Sequence, residues 1–167
     1  MAHIRLPEET TLSGRMARGV IGGILAGVVF AVVAAWNITA NEGSVRQLFL
    51  TISTIVLGQN AALTGDANLA IGLMVHFAIS IFYGMGFGFI SSLLRTNGTV
   101  ALVGAAYGAA IYALDFRVFA PLWFENFEYV DQSFELLIHI LYGLAVALVF
   151  YSSDVRRGEP FIKISRR

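Results

Sequence analysis

The sequence predicts an all-α membrane protein, a bundle of four transmembrane helices. Three observations support this fold class: the composition, four long apolar runs, and the uneven placement of Lys and Arg. Of the 167 residues, 57% are hydrophobic and only 13% are charged, whereas a soluble domain carries about 25% charged residues. So few charges indicate that lipid, not water, surrounds most of the chain.

The four apolar runs lie at about 19–36, 69–94, 100–119 and 134–151. A helix needs about 20 mostly apolar residues to cross the hydrocarbon layer. No charged residue occupies the central part of any run, and the apolar residues are continuous rather than alternating. Because only helices and closed barrels satisfy their backbone groups in lipid, each run is predicted to be a helix of one membrane domain.

The connections between these helices carry their own signals. The segment 44–57 is apolar but too short to span, which predicts a helix lying at the membrane interface. The turn from Arg95 to Gly98 is short, so we expect the second and third apolar helices to be antiparallel neighbours.

The orientation follows from the basic residues. Nine of the 11 Lys and Arg residues fall on one predicted side, which the positive-inside rule assigns to the cytoplasm: Arg5, Arg15, Arg18, Arg95, Arg156, Arg157, Lys163, Arg166 and Arg167. Only Arg46 and Arg117 fall on the other side. Both termini are therefore predicted to be cytoplasmic, and the basic tail is expected to meet anionic lipid rather than nucleic acid.

Small residues spaced four apart mark faces on which membrane helices pack. Every predicted helix has such glycines: Gly19, Gly23 and Gly27 in the first, Gly84 and Gly88 in the second, Gly104 and Gly108 in the third, and Gly143 in the fourth. Two interpretations are open. The ridges pack the helices of one chain together, or at least one of them forms an interface in a homo-oligomer or larger membrane complex.

The second and fourth helices resemble each other. The segment Leu73-Met-Val-His76 resembles Leu136-Leu-Ile-His139, and Phe89-Ile-Ser-Ser92 resembles Phe150-Tyr-Ser-Ser153. This likeness suggests a parallel duplication of a helical hairpin about an axis along the membrane normal.

Several polar residues are predicted to meet in the outer half of the bundle. His76 and His139 enter their helices from the same side, so each lies on the order of 10 Å below the outer boundary at 1.5 Å per residue. Glu135 shares a helix face with His139, four residues away. Asp115 and Arg117 near the end of the third helix, with Asn37 at the end of the first, complete the cluster.

Ionisable groups within a membrane span mark a functional site by default, and three interpretations of this cluster remain open. The histidines form structural hydrogen bonds between helices. They ligate a haem b through two imidazoles on facing helices. They bind protons or a divalent metal with the carboxylates.

Other chemistry has little support in the sequence. The chain contains no cysteine, which excludes disulfides, thiolate metal sites and cysteine nucleophiles. It also lacks the common nucleotide-binding and hydrolase motifs. We therefore expect a protein that is not an enzyme.

Four short motifs resemble the YagU family of small bacterial inner-membrane proteins, over roughly residues 70 to 145. They are His76-x-x-x-Ser80-Ile81, the pair Gly104 and Gly108, Trp123-Phe-Glu-Asn126, and Glu135-x-x-x-His139. The loop between Asn126 and Glu135 is longer than in the family pattern. The resemblance implies an inner-membrane location, a link to acid tolerance, no established biochemical activity, and importance for His76, Trp123, Glu125, Asn126, Glu135 and His139.

Two classes of function follow. The first is a non-enzymatic accessory, structural or stress-related membrane subunit. The second is a membrane protein that uses the cluster of histidines and carboxylates to bind protons, metal or haem.

Overall fold

A computed structural model describes residues 11–128 and 130–151. Throughout these residues the regular structure is helical, with no strand. The main helices are α1 (Leu12–Ala40), α2 (Val45–Leu57), α3 (Ala61–Thr64), α4 (Leu69–Ile90), α5 (Asn97–Leu114), α6 (Ala120–Trp123) and α7 (Gln132–Leu148). A 3₁₀ turn, Ser91–Leu93, extends α4, and a π-helix, Asp115–Phe119, joins α5 to α6.

Three helical segments in the described residues are long and apolar enough to cross a membrane: Leu12–Ala40, Leu69–Leu93 and Asn97–Trp123. The fourth apolar helix, α7, has 17 residues. The prediction of an all-α membrane protein is thereby confirmed at the level of its class. The terminal basic residues that predicted the orientation, apart from Arg15 and Arg18, lie outside the described residues, as does the second half of Phe150-Tyr-Ser-Ser153.

Helices α1, α5 and α7 begin earlier than their apolar runs, and α4 begins at Leu69 as predicted, because polar caps define their first turns. The side chain of Thr11 accepts a hydrogen bond from Gly14 N at the start of α1. Asn68 and Asp131 cap α4 and α7 in the same way. Each cap satisfies backbone N–H groups that have no partner inside the helix. The first predicted range, 19–36, therefore falls well inside the observed α1.

Helix α2 is docked on the bundle along one face. Phe49, Leu50 and Ile52 are buried, and Gly72 of α4 packs directly against the backbone of Phe49. Ser53 Oγ accepts a hydrogen bond from Asn68 N at 3.0 Å. These contacts fix α2 across the N-terminal end of α4.

The glycine ridges hold two antiparallel helix pairs together within the chain. In the first pair, Gly19 and Gly23 of α1 meet the backbone of α4 at Gly84 and Ser80. Further along the same contact, Gly27 faces the Ser80 side chain and Gly88 faces the Arg15 backbone.

In the second pair, Gly104 and Gly108 of α5 meet the backbone of α7 at Gly143 and His139. All eight ridge glycines, those of the first pair included, thus contact other helices of the same chain. The packing of one chain uses these ridges, and an oligomer prediction no longer draws support from them.

The two pairs are equivalent, but in a different register from the one predicted. Gly23 faces the carbonyl oxygen of Ser80 and Cα of Ile81, and Gly108 faces the carbonyl oxygen of His139 and Cα of Ile140. Ser80 therefore corresponds to His139. In this register Ile79-Ser-Ile-Phe-Tyr-Gly84 aligns with Ile138-His-Ile-Leu-Tyr-Gly143.

The alignment of His76 with His139 was thus wrong by one helical turn. His76 corresponds instead to Glu135, four residues before His139. The predicted alignment paired the two histidines because they are the same residue type. The helix backbones, however, approach each other where small residues lie, and those positions define the observed register.

One position breaks the equivalence of the two pairs. Gly22 of α1 lets that helix approach Val146 and Val149 of α7. The equivalent residue of α5, three positions after its first ridge glycine, is Tyr107, whose hydroxyl donates a hydrogen bond to the Tyr83 carbonyl of α4 at 2.7 Å. Gly22 thus allows close contact between α1 and α7, whereas Tyr107 keeps α5 away from α4.

As a result α4 packs mainly against α1 and α2, and α5 packs mainly against α7. The expected neighbours α4 and α5 are consecutive in the chain but make few backbone contacts. The gap between them, at the end of the bundle where α2 lies, contains the candidate site.

A candidate ligand cavity between α4 and α5

A cavity of about 790 Å³ fills the gap between α4 and α5. This volume lies within the range of about 300–1,000 Å³ that is typical of small-molecule sites. Helix α2 covers the cavity on one side, and α7 and Phe30 of α1 line its back. Its walls are mainly apolar and include eight aromatic side chains: Phe30, Phe82, Tyr83, Phe116, Phe119, Phe124, Phe127 and Tyr142.

Four ionisable side chains singled out from the sequence line this cavity. They are His76 of α4, Asp115 of the π-helix, and Glu135 and His139 of α7. No Lys or Arg belongs to the lining formed by the described residues. The structure therefore brings together the two histidines and two carboxyl groups that sequence reasoning placed at one depth.

Asp115 reaches the cavity because the helix widens at this residue. Pro121 has no N–H, so it cannot donate to the Arg117 carbonyl as a regular α-helix requires. The chain responds with a π-helix, in which Ala120 N bonds to the Asp115 carbonyl five residues back. Such π segments occur frequently at functional sites, and here the Asp115 carboxyl accepts a hydrogen bond from the Tyr83 hydroxyl at 2.5 Å.

The His139 imidazole lies between the two carboxyl groups. Its Nδ1 is 2.7 Å from the backbone carbonyl of Glu135, an acceptor, so Nδ1 carries a hydrogen. The Glu135 carboxylate is 3.7 Å from the same nitrogen, and Asp115 Oδ2 is 3.9 Å from Nε2. Tyr83, Asp115, His139 and Glu135 thus form a continuous polar chain from α4 to α7.

His76 occupies a separate position. Its Nε2 is 2.9 Å from the carbonyl oxygen of Gly27, so this nitrogen is engaged as a donor. The Phe30 ring contacts both histidines, with ring centroids 5.7 Å from His76 and 5.0 Å from His139. Phe30 therefore packs against both imidazoles.

This geometry does not fit the two predicted cofactors. A haem iron between the imidazoles needs free nitrogens facing a shared space, but His76 Nε2 is bonded to the Gly27 carbonyl and Phe30 packs against both rings. A divalent metal needs several ligands converging on one point, and no group of three His, Asp or Glu residues in the described chain is arranged in that way.

The remaining predicted site residues lie around the cavity rather than in it. The Asn37 carbonyl accepts a hydrogen bond from the Asn41 side chain at 2.8 Å at the end of α1. Arg117 lies over the ring of Tyr112, with its guanidinium carbon 5.7 Å from the ring centroid. Trp123 and Glu125 are exposed.

Asn126 differs from these residues because it lines the cavity and closes one corner of it. Its side-chain nitrogen donates to Thr54 Oγ1 at 3.3 Å and to the Gln59 carbonyl at 3.0 Å. These bonds tie the segment after α6 to the end of α2.

Sequence reasoning missed three residues that shape the site: Phe30, Tyr83 and Tyr142. The two tyrosines are equivalent in the repeat, and each donates a hydrogen bond at 2.5 Å, Tyr83 to Asp115 and Tyr142 to the Ser80 carbonyl. The Tyr-Gly step shared by α4 and α7 was the signal that could have found them.

Beyond the two tyrosines the interior is closed. Phe87 and Phe150 are fully buried, with ring centroids 5.5 Å apart. Tyr107 packs on Phe87 at 5.4 Å. Phe87, Tyr107 and Phe150 do not line the cavity themselves; packed beyond Tyr83 and Tyr142, they form the floor beneath its lining.

Fold and site together define a helical protein of the membrane class with a partly apolar, partly ionisable internal cavity. No family model, curated protein or solved structure matches the chain, so the resemblance to the YagU family stays a prediction.

Proposed function

We propose that this chain is a four-span protein of the bacterial inner membrane that binds a membrane-soluble amphiphile in the cavity between α4 and α5. In this proposal α7 is the fourth span, because it pairs with α5 through the same glycine contacts that join α4 to α1. The basic residues Arg15 and Arg95 then lie on the cytoplasmic side. The cavity opens in the outer half, where Arg46 and Arg117 are found.

The observation that carries the proposal is the combination of a large, mainly apolar cavity with four ionisable side chains in its lining. An amphiphile matches both features, with its apolar part along the aromatic walls and its polar group near His139. Ala78 and Phe82 line the cavity and are also exposed, which supports a side entrance from the lipid between α4 and α5.

The packed floor favours binding over conduction. A pore would require a path through Phe87, Tyr107 and Phe150, which fill the interior below the cavity. The expectation of a non-enzymatic protein is retained in this proposal, since binding needs none of the missing catalytic motifs. The accessory and acid-tolerance roles remain predictions, and they concern what the protein does once its ligand is bound.

Filling the entrance tests the proposal. We expect Ala78→Trp to abolish binding of 1-oleoylglycerol, a neutral single-chain lipid, because the indole projects into the cavity from an exposed position. Native mass spectrometry of the purified full chain counts the lipid molecules retained. We expect one retained molecule in the wild type and none in the variant.

Ala113→Trp is the matched control. Ala113 is an exposed helical alanine on α5 outside the cavity lining, so its tryptophan variant should retain the lipid. Equal retention by wild type and Ala78→Trp, or no retention by the wild type, would contradict a ligand in this cavity.

A further inference from the structure

We infer that the amphiphile is an organic cation, an ammonium or similar positive group carried on an apolar body. This inference rests on the proposed function and specifies its ligand. Two independent features of the cavity lead to it: the sign of its charged groups and the aromatic character of its walls.

The charged groups of the cavity favour a positive ligand. Asp115 and Glu135 are its two carboxyl groups, and both are largely buried, with side chains 25% and 18% exposed. No Lys or Arg lines the cavity among the described residues. In a low-dielectric interior an ionised carboxyl group is costly without a cation nearby, so a cationic ligand and the ionised forms of Asp115 and Glu135 stabilise each other.

A neutral His139 imidazole between the two carboxyl groups adds no positive charge to the cavity. His139 Nδ1 donates its hydrogen to the Glu135 carbonyl. A neutral ring then leaves Nε2 as an acceptor, facing Asp115 and the cavity. An anionic head group would meet two carboxyl groups and this acceptor, and would need all three to gain protons before it could bind.

The arginine near the site, Arg117, adds no positive charge to the groups that line the cavity. Arg117 is exposed and lies against the ring of Tyr112, and it is not part of the lining. Its guanidinium therefore packs on Tyr112 outside the lining that Asp115 and Glu135 belong to.

The aromatic walls are the second feature. A cation over the face of an aromatic ring gains about 0.5 to 2 kcal/mol per contact, and aromatic cages are a known means of recognising quaternary ammonium groups. Of the rings in the lining, Phe30 and Phe116 contact the His139 ring, and Tyr83 donates a hydrogen bond to Asp115. Apolar aliphatic walls would bind a neutral lipid equally well, but rings beside carboxylates select for positive charge.

Two ions of nearly equal size and opposite charge test this inference. Tetraphenylphosphonium and tetraphenylborate are measured by equilibrium dialysis against the full chain in neutral detergent, with protein-free micelles as the blank. We expect the cation to bind at least about tenfold more tightly than the anion once micelle partition is subtracted.

Carboxyl variants locate the binding. Asp115→Asn and Glu135→Gln keep the side-chain shape and remove the charge, so each should weaken cation binding by about tenfold or more. Glu128→Gln is the control, because Glu128 is exposed and outside the lining. Retention of 1-oleoylglycerol by each variant verifies that the cavity is still formed.

The outcomes separate the two proposals. If both ions bind alike, or the carboxyl variants bind the cation as the wild type does while the neutral lipid is still retained, the inference of a cationic ligand is wrong and the amphiphile site stands. If neither ion nor the neutral lipid binds the wild type, the amphiphile site itself fails.

Discussion

Replacing Gly84 with alanine is expected to lower the free energy of unfolding by about 3 kcal/mol, at the upper end for overpacked interiors. A Cβ built on Gly84 lies 2.7 Å from both N and Cα of Gly23 and closer still to the Gly19 carbonyl oxygen. These are backbone atoms of α1, which cannot turn aside as a side chain can. The helices must separate, and their packing along the ridge is lost. Unfolding of the purified protein, followed by circular dichroism in mild detergent, measures the change.

Gly98→Ala is the matched control, because a Cβ at this position meets nothing closer than Thr96 Oγ1 at 3.8 Å. Gly98 lies in the first turn of α5, where alanine favours the helix by up to about 1 kcal/mol, so this variant should unfold like the wild type or later. Gly143→Ala should behave like Gly84→Ala, since it meets the backbone of Gly104 and Gly108. Wild-type stability in Gly84→Ala would mean that α1 and α4 are not in backbone contact.

The sequence predicted the helices well because a helix that crosses lipid needs a long apolar run, and such runs are visible in the sequence. It placed the start of α4 correctly but the starts of α1 and α5 too late, since these are determined by the polar caps Thr11 and Thr96, which hydropathy does not detect. The π-helix at Asp115 was not foreseen either. It precedes Pro121, whose missing N–H removes one hydrogen bond of a regular α-helix, but this loss alone does not determine the hydrogen bonding of the preceding residues.

The sequence predicted which residues belong to the candidate site but not the cavity that they line. The depth of His76 and His139 follows from counting residues along two helices, and this counting needs no knowledge of packing. The cavity arises from the difference between Gly22 and Tyr107 at equivalent positions, which becomes visible only when the helix pairs are superposed. The haem interpretation did not fit for a similar reason: Phe30 enters from a third helix, and no spacing within α4 or α7 reveals it.

A substitution in the floor beneath the cavity is expected to have the second large effect on stability. We expect Phe87→Ala to lower the free energy of unfolding by about 3 kcal/mol, as for other fully buried aromatic residues. The Phe87 ring contacts both Tyr107 and Phe150, and its loss leaves a void that these two rings fill only in part. Circular dichroism during unfolding in mild detergent measures the loss.

Phe89→Ala, two residues along the same helix, is the control for this substitution. Phe89 is 47% exposed, so its truncation leaves no enclosed void and should cost less than the truncation of the fully buried Phe87. Phe87 does not line the cavity, so Phe87→Ala should still retain 1-oleoylglycerol, in contrast to Ala78→Trp. If Phe87→Ala unfolded like Phe89→Ala, the interior below Tyr83 and Tyr142 would not be packed, and the argument for binding over conduction would lose its basis.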